Sequence, residues 1–399
     1  MRRVSRSGAA DGTGIGRKAG ILATAARRRN RTQGARPSRG EALIYCGGSE
    51  RDLCDPSVKR RTALVSLLAA GLLVWFLRHA NLADVWHQVQ RARMELLGVA
   101  FGVVAATYWA RAVRWRYLLS PIGPTRFRTV FRTTIIGFAA LGLLPARAGD
   151  VLRPYLLARQ EGLSLSSTFA TIVIERVLDL IAVLSLLAVY LVVAADVSSM
   201  SPALLRSVVF SASVAGLMAA VLAGVLWVVA SHPERIGGYV QAADRVLPHA
   251  LAKRLARMAR SFSGGLAVAR RPRELVAAVV WSFGIWMLHA IEVWIATLAF
   301  GMVLPFAGSF LLQALLVIGV AVPTPGGVGS YHEAYRFGMT TFFGASNANA
   351  IAAAIVVHAI SFVPVVVLGL IFMAQDGLSL GRLKELARSA PEEGVAANQ

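Results

Sequence analysis

The feature that most constrains this chain is a series of apolar runs too long for a soluble core. Six of them, at approximately 62–78, 95–113, 167–195, 207–230, 275–300 and 347–374, reach membrane-spanning length. A hydrocarbon core about 30 Å thick takes about 20 helical residues at about 1.5 Å each. Composition agrees: 56% of the 399 residues are hydrophobic and 16% are charged, against about 25% charged in soluble domains. A soluble enzyme and a disordered chain are both excluded. Since lipid offers backbone amides no partner, the expected fold is an all-α polytopic membrane protein.

Two further apolar segments, 133–145 and 309–323, are shorter and end in proline and glycine. Such segments are expected to form re-entrant or broken helices, whose freed backbone must be buried in protein or face a watery cavity. Pro145-Ala-Arg-Ala-Gly149 and Pro325-Gly-Gly-Val-Gly329 share one spacing, each after an apolar half-span and before a full span. Counting spans, the first hairpin opens to the cytoplasm and the second to the outside. That is the pattern of inverted repeats around a midplane site.

The chain divides into a basic tail (1–61), a membrane domain (62–375) and a C-terminal tail (376–399). The first tail carries 15 Lys+Arg with no sustained apolar periodicity, so it is expected to be disordered and cytoplasmic; a mis-assigned start codon would also account for it. Net charge is +21. The charges sit between apolar spans, so they point to topology and anionic lipid headgroups as partners, with no nucleic acid. With the N-terminus inside, 36 of the 42 Lys+Arg fall on the cytoplasmic side, and the 111–132 loop alone carries six arginines. Both termini are therefore expected in the cytoplasm.

Three motifs carry chemistry. In Leu143-Leu-Pro145-Ala-Arg147-Ala-Gly149-Asp150-Val-Leu-Arg153-Pro154, helix breakers sit beside charges. Freed N–H groups with Arg147 and Arg153 suit a phosphate headgroup; the alternative is an interfacial loop whose arginines fix orientation. Glu175-Arg176-Val-Leu-Asp179 lies inside an apolar span, with both carboxylates on one helix face and Arg176 able to pair with Asp179. Intramembrane charges cost at least a few kcal/mol each and mark a site by default, although an internally neutralised structural cluster is the competing reading. Pro323-Thr-Pro325-Gly326-Gly327-Val-Gly329-Ser-Tyr331-His332-Glu333 reads as a re-entrant tip or a tight extracellular turn. Its His-Glu lacks the second histidine of a zinc protease, since Arg336 stands there. His289, Glu292 and His358 are better read as interhelical hydrogen-bonding groups than as metal ligands. Trp75, Trp109, Trp115, Trp286 and Trp294 are ascribed to interface belts and packing. No cofactor or metal is expected, and no catalytic residue is assigned.

LLPARAGDVLRPYLLARQEG, IERVLDL and PTPGGVGSYHEAYR, in that order, together with Arg114-Trp115-Arg116 closing the second span, resemble the flippase-like family that includes the transmembrane domain of lysylphosphatidylglycerol synthase. The resemblance covers about 62–375. It implies translocation of a lipid between leaflets of the bacterial inner membrane, through a cavity between inverted repeats. The residues it implies are Pro145, Arg147, Gly149, Asp150, Arg153, Glu175, Arg176, Asp179, Pro325, Gly326, Gly327, Gly329 and Glu333. With the chain ending at Gln399, aminoacyl transfer is not expected. The substrate would be a phospholipid or a polyprenyl-linked saccharide. Two other readings remain: an interaction subunit for a separately encoded envelope-biosynthesis glycosyltransferase or acyltransferase, and a lipid-modifying enzyme using Glu175, Asp179 and His358.

Overall fold

A computed structural model describes residues 82–144, 147–193, 202–231, 257–258, 260–322 and 324–378. The basic tail, the 62–78 span, Pro145, Pro323 and most of the 231–273 loop lie outside them. The described residues are all-helical, without a strand. In chain order the α-helices are α1 (Leu82–Arg91), α2 (Met94–Leu119), α3 (Phe127–Leu143), α4 (Gly149–Glu161), α5 (Leu165–Val193), α6 (Pro202–Ser231), α7 (Pro272–Ala299), α8 (Gly308–Ala321), α9 (Ser330–Phe343) and α10 (Asn347–Gln375). Of these, α2, α5, α7 and α10 are long and apolar enough to cross a membrane. Helix α6, with 30 residues, covers the expected 207–230 span.

The two short apolar segments are arms of helical hairpins, α3–α4 and α8–α9. In the first, the outer ends are tied by Arg126 and Glu161 at 3.2 Å. Close packing of its arms requires glycine: a Cβ on Gly149 would lie 2.1 Å from the carbonyl oxygen of Gly137. In the second, a Cβ on Gly319 would lie 2.8 Å from the Ser330 carbonyl oxygen. The second tip also runs through positive φ at Gly326, Gly327 and Gly329, a backbone region nearly closed to other residues. Replacing Gly149 by alanine should therefore push the first hairpin apart and cost about 3 kcal/mol, the upper end for overpacking. A lowered melting temperature in detergent is the check.

The helices form two units of one pattern, span–hairpin–span: α2, α3–α4, α5 and α7, α8–α9, α10. Their first spans pack antiparallel. The Arg93 amide bonds the Ala299 carbonyl at one end, Arg111 meets His289 midway, and Arg114 reaches Ser282 beyond. Each closing span packs on the other unit's hairpin. Arg132 of α3 binds Asp376 just past α10 at 2.6 Å, while Val183 and Leu187 of α5 join Phe310, Leu311 and Ala314 of α8 in one core cluster. The outer ends of the first hairpin lie where α10 finishes. Those of the second lie where α7 finishes, so the hairpins enter from opposite ends and meet at their tips, where a Cβ on Gly326 would lie 3.2 Å from the Gly142 carbonyl oxygen.

One assignment is corrected. Arg111 and Arg114 do not belong to a polar loop: α2 continues to Leu119 and buries both, at 6% and 0% exposure. The cost of burial is met because the same helix face meets Glu175, Asp179 and His289.

Candidate functional site

Helix α5 crosses the bundle with Glu175 and Asp179 one turn apart on its buried face. Arg114 of α2 bridges them, with Nη1 2.5 Å from Asp179 Oδ1 and Nη2 3.2 Å from Glu175 Oε1. Nη1 also donates to Ser282 Oγ of α7 at 2.9 Å. From α4, Arg153 donates to Glu175 Oε1 at 2.8 Å, and its guanidinium lies 3.8 Å from the centre of the buried Trp115 ring. Arg176 contacts Asp150, Glu175 and Asp179 at 3.4, 3.3 and 3.6 Å. A carboxylate buried without a cation would cost several kcal/mol; here each has at least two.

Beside this network lies a cavity of about 330 Å³ between the two repeats, in the range of small-molecule sites, about 300–1,000 Å³. Its walls are mainly apolar, from Val104, Phe138, Leu180, Leu316, Val317 and Phe362. Polar groups reach it from six elements: Arg111 and Tyr108 on α2, Arg176 and Asp179 on α5, His289 and Glu292 on α7, Gln313 on α8, Tyr331 on α9, and Ser361 on α10. Arg147, from the first hairpin's tip, completes the lining. It holds φ of 55°, and among the described residues it is the one non-glycine with positive φ. That strained backbone aims a half-exposed guanidinium at the cavity, loosely tied to Asp150 at 3.4 Å.

Arg111 differs from its neighbours. Among the described residues it forms no ion pair with a carboxylate. Nη2 donates to His289 Nε2 at 2.9 Å, while Nη1 is buried without a hydrogen-bond partner. Across the cavity, both amide atoms of Gln313 are also buried without partners, at 2% residue exposure. Five guanidiniums (Arg111, Arg114, Arg147, Arg153 and Arg176) face four carboxylates (Asp150, Glu175, Asp179 and Glu292) around this space.

The motif residues separate into three groups. Arg147, Arg176 and Asp179 line the cavity, with Asp150 and Glu175 directly behind them. Arg153 does not line the cavity; it is bound to Glu175 and lies over the Trp115 ring. Glu333 does not line the cavity; it pairs with Arg336 on its own helix. Pro325, Gly326, Gly327 and Gly329 shape the second tip, where the Gly326 carbonyl is hydrogen-bonded to His358 Nε2 at 2.7 Å, while Gly149 seats α4 against α3. No group of three metal-ligating side chains is present among the described residues. The tryptophans do more than pack: Trp286 Nε1 donates to Asp179 at 2.9 Å, and Trp115 carries the Arg153 guanidinium on its face.

Sequence reasoning missed Arg111 and Gln313. For Arg111 a signal existed, since it shares a face with Arg114 on a helix whose apolar and aromatic pattern continues through Trp115 and Leu118–Leu119. For Gln313 the signal was a lone amide inside Gly308–Ala321, a run otherwise apolar apart from Ser309.

Fold and site define a polytopic helical membrane protein with a charged cavity between two hairpin-bearing repeats. The chain belongs to the lysylphosphatidylglycerol synthase transmembrane-region family, which matches residues 63–369. It is 27% identical over 366 residues to a protein named glycosyltransferase AglD from Haloferax volcanii, covering 82% of this chain and 56% of that protein. The match thus spans little more than half of that relative. It is also 29% identical over 269 residues to a UPF0104 membrane protein of Methanothermobacter thermautotrophicus, covering 63% of this chain and 77% of the relative.

Proposed function

We propose that this protein moves a lipid with an anionic headgroup, a phospholipid or a polyprenyl-linked saccharide, between leaflets of a bacterial inner membrane, with both termini cytoplasmic. The observation that carries the reading is Arg111, a guanidinium without a carboxylate partner among the described residues, in an apolar-walled cavity of about 330 Å³. Buried cations are stable where an anion joins them, and a phosphate accepts the paired N–H groups of arginine. Two hairpins entering from opposite ends support access from either side, as expected of inverted repeats. Acyl chains would stay in lipid while the headgroup passes the arginines.

The test is leaflet exchange of labelled phosphatidylglycerol and of a polyprenyl-phosphate sugar in proteoliposomes. Wild type should exchange at least one of them well above empty vesicles. Arg147→Ala should lower the rate about three- to tenfold, as befits a half-exposed charge-assisted contact, without loss of folded protein. Background rates for every headgroup would overturn the reading.

A second reading is supported by the relative named glycosyltransferase: this domain would then serve a separately encoded glycosyltransferase or acyltransferase. Loss of partner localisation on deleting residues 232–256, with lipid exchange intact, would favour it.

A further inference from the structure

The headgroup reading leaves one feature of the cavity without a task. Arg111, His289, Glu292 and Ser361 form a single hydrogen-bonded chain across it, drawn from α2, α7 and α10. Arg111 Nη2 stands 2.9 Å from His289 Nε2, His289 Nδ1 stands 3.1 Å from Glu292 Oε2, and the Ser361 hydroxyl donates to Glu292 Oε1. A guanidinium has only donors, so Nε2 must offer its lone pair. Nδ1 then carries the hydrogen and donates it to Glu292. The chain fixes His289 as the neutral imidazole in one tautomer.

The consequence is an exclusion. An imidazolium carries hydrogen on both nitrogens and cannot accept from Arg111, so the Arg111–His289 bond and a proton on Nε2 cannot coexist. Resting on the lipid-transport reading, we propose that His289 is a proton-operated latch on Arg111, so that capture of the anionic headgroup takes up one proton. The proton arrives from water and forms the Nε2–H bond. The Arg111 hydrogen bond breaks, and the freed guanidinium takes the headgroup. No other bond changes. One anion and one proton enter together, so the net charge of the cavity is the same before and after. Moving a neutral sum through a low-dielectric space avoids the cost of moving a bare charge.

The surroundings fit this arrangement. Glu292, on the same helix, stays beside the imidazole in either state and balances its charge. Asp179 of α5 is already held by Arg114 and by Trp286 Nε1. Arg176 contacts Asp150, Glu175 and Asp179, and Arg147 contacts Asp150. Tyr108 and Tyr331 line the same space, and the facing groups of α8 and α10, Gln313 and Ser361, are neutral. The unpartnered Nη1 of Arg111 and the amide of Gln313 give the released guanidinium and its ligand open hydrogen-bonding positions.

The experiment is exchange of labelled phosphatidylglycerol in proteoliposomes from pH 5.5 to 8, for wild type and His289→Gln. Glutamine keeps an acceptor for Arg111 and takes up no proton anywhere in this range. The wild-type rate should rise about tenfold toward the acid end, and the variant should give a flat profile. As a second measurement, an imposed pH gradient across wild-type vesicles should drive the label to accumulate in one leaflet. A flat wild-type profile, an unchanged slope in His289→Gln, or equal distribution under the gradient would overturn the latch while leaving lipid exchange in place. No exchange by wild type at any pH would overturn the transport reading, and the latch with it.

Discussion

Replacing Arg114 by leucine should prevent this protein from accumulating in folded form. Arg114 is fully buried and bridges Glu175, at 0% exposure, and Asp179, at 5%. Removing one partner from a buried ion pair costs about 3–5 kcal/mol, because the remaining charge loses its compensation. Here one substitution weakens the pairing of two carboxylates on α5 and also strips Ser282 of its donor. Set against a total stability of about 5–15 kcal/mol for a native domain, that is enough to unfold most of the population. Monodisperse yield in detergent and thermal unfolding read the effect. Adding Asp179→Asn to Arg114→Leu should recover much of it, since Arg153 and Arg176 then suffice for Glu175 and Asp150. If the single variant folds with wild-type stability, the network is not what holds α2, α4 and α5 together.

This network shows what a sequence of this kind does and does not disclose. Helices α2, α5, α7 and α10 were legible because one-dimensional hydropathy suffices to find a segment of about 20 apolar residues. The two hairpins were legible because proline and glycine close a short apolar run in only a few ways. Glu175 and Asp179 stood out because carboxylates rarely lie inside a span. Their principal cation was not legible. Arg114 lies near the end of α2, where an arginine bound to water and one bound to a buried carboxylate look alike. The converse holds for Arg153 and Glu333. Each sits in a conspicuous motif, yet the fold turns Arg153 onto Glu175 and Trp115, and Glu333 onto Arg336. Spacing along the chain ranks residues by how unusual they are; only packing across α2, α5 and α7 decides which of them keep an open valence.

Arg111→Gln should give the complementary result: a folded protein that exchanges anionic lipid about 10- to 100-fold more slowly. The expectation follows from comparing two arginines three residues apart on one helix face. Both are buried, at 6% and 0% exposure. Arg114 spends its charge on Glu175 and Asp179, whereas Arg111 has a histidine and an aromatic face 5.0 Å away on Phe138. Losing Arg114 exposes anions to a low dielectric, but losing Arg111 removes a buried cation that is in direct contact with no carboxylate among the described residues, so the fold loses less. What disappears is the charge-assisted contact to the headgroup, worth about 1.5–3 kcal/mol, and each 1.4 kcal/mol is about tenfold. Arg111→Lys should restore part of the rate, since it keeps the charge and loses the bidentate geometry. The measurement is the exchange rate of phosphatidylglycerol set beside thermal stability for the same preparations. A destabilised Arg111→Gln would make Arg111 a structural residue like Arg114, and a stable variant exchanging at the wild-type rate would mean that the headgroup travels elsewhere.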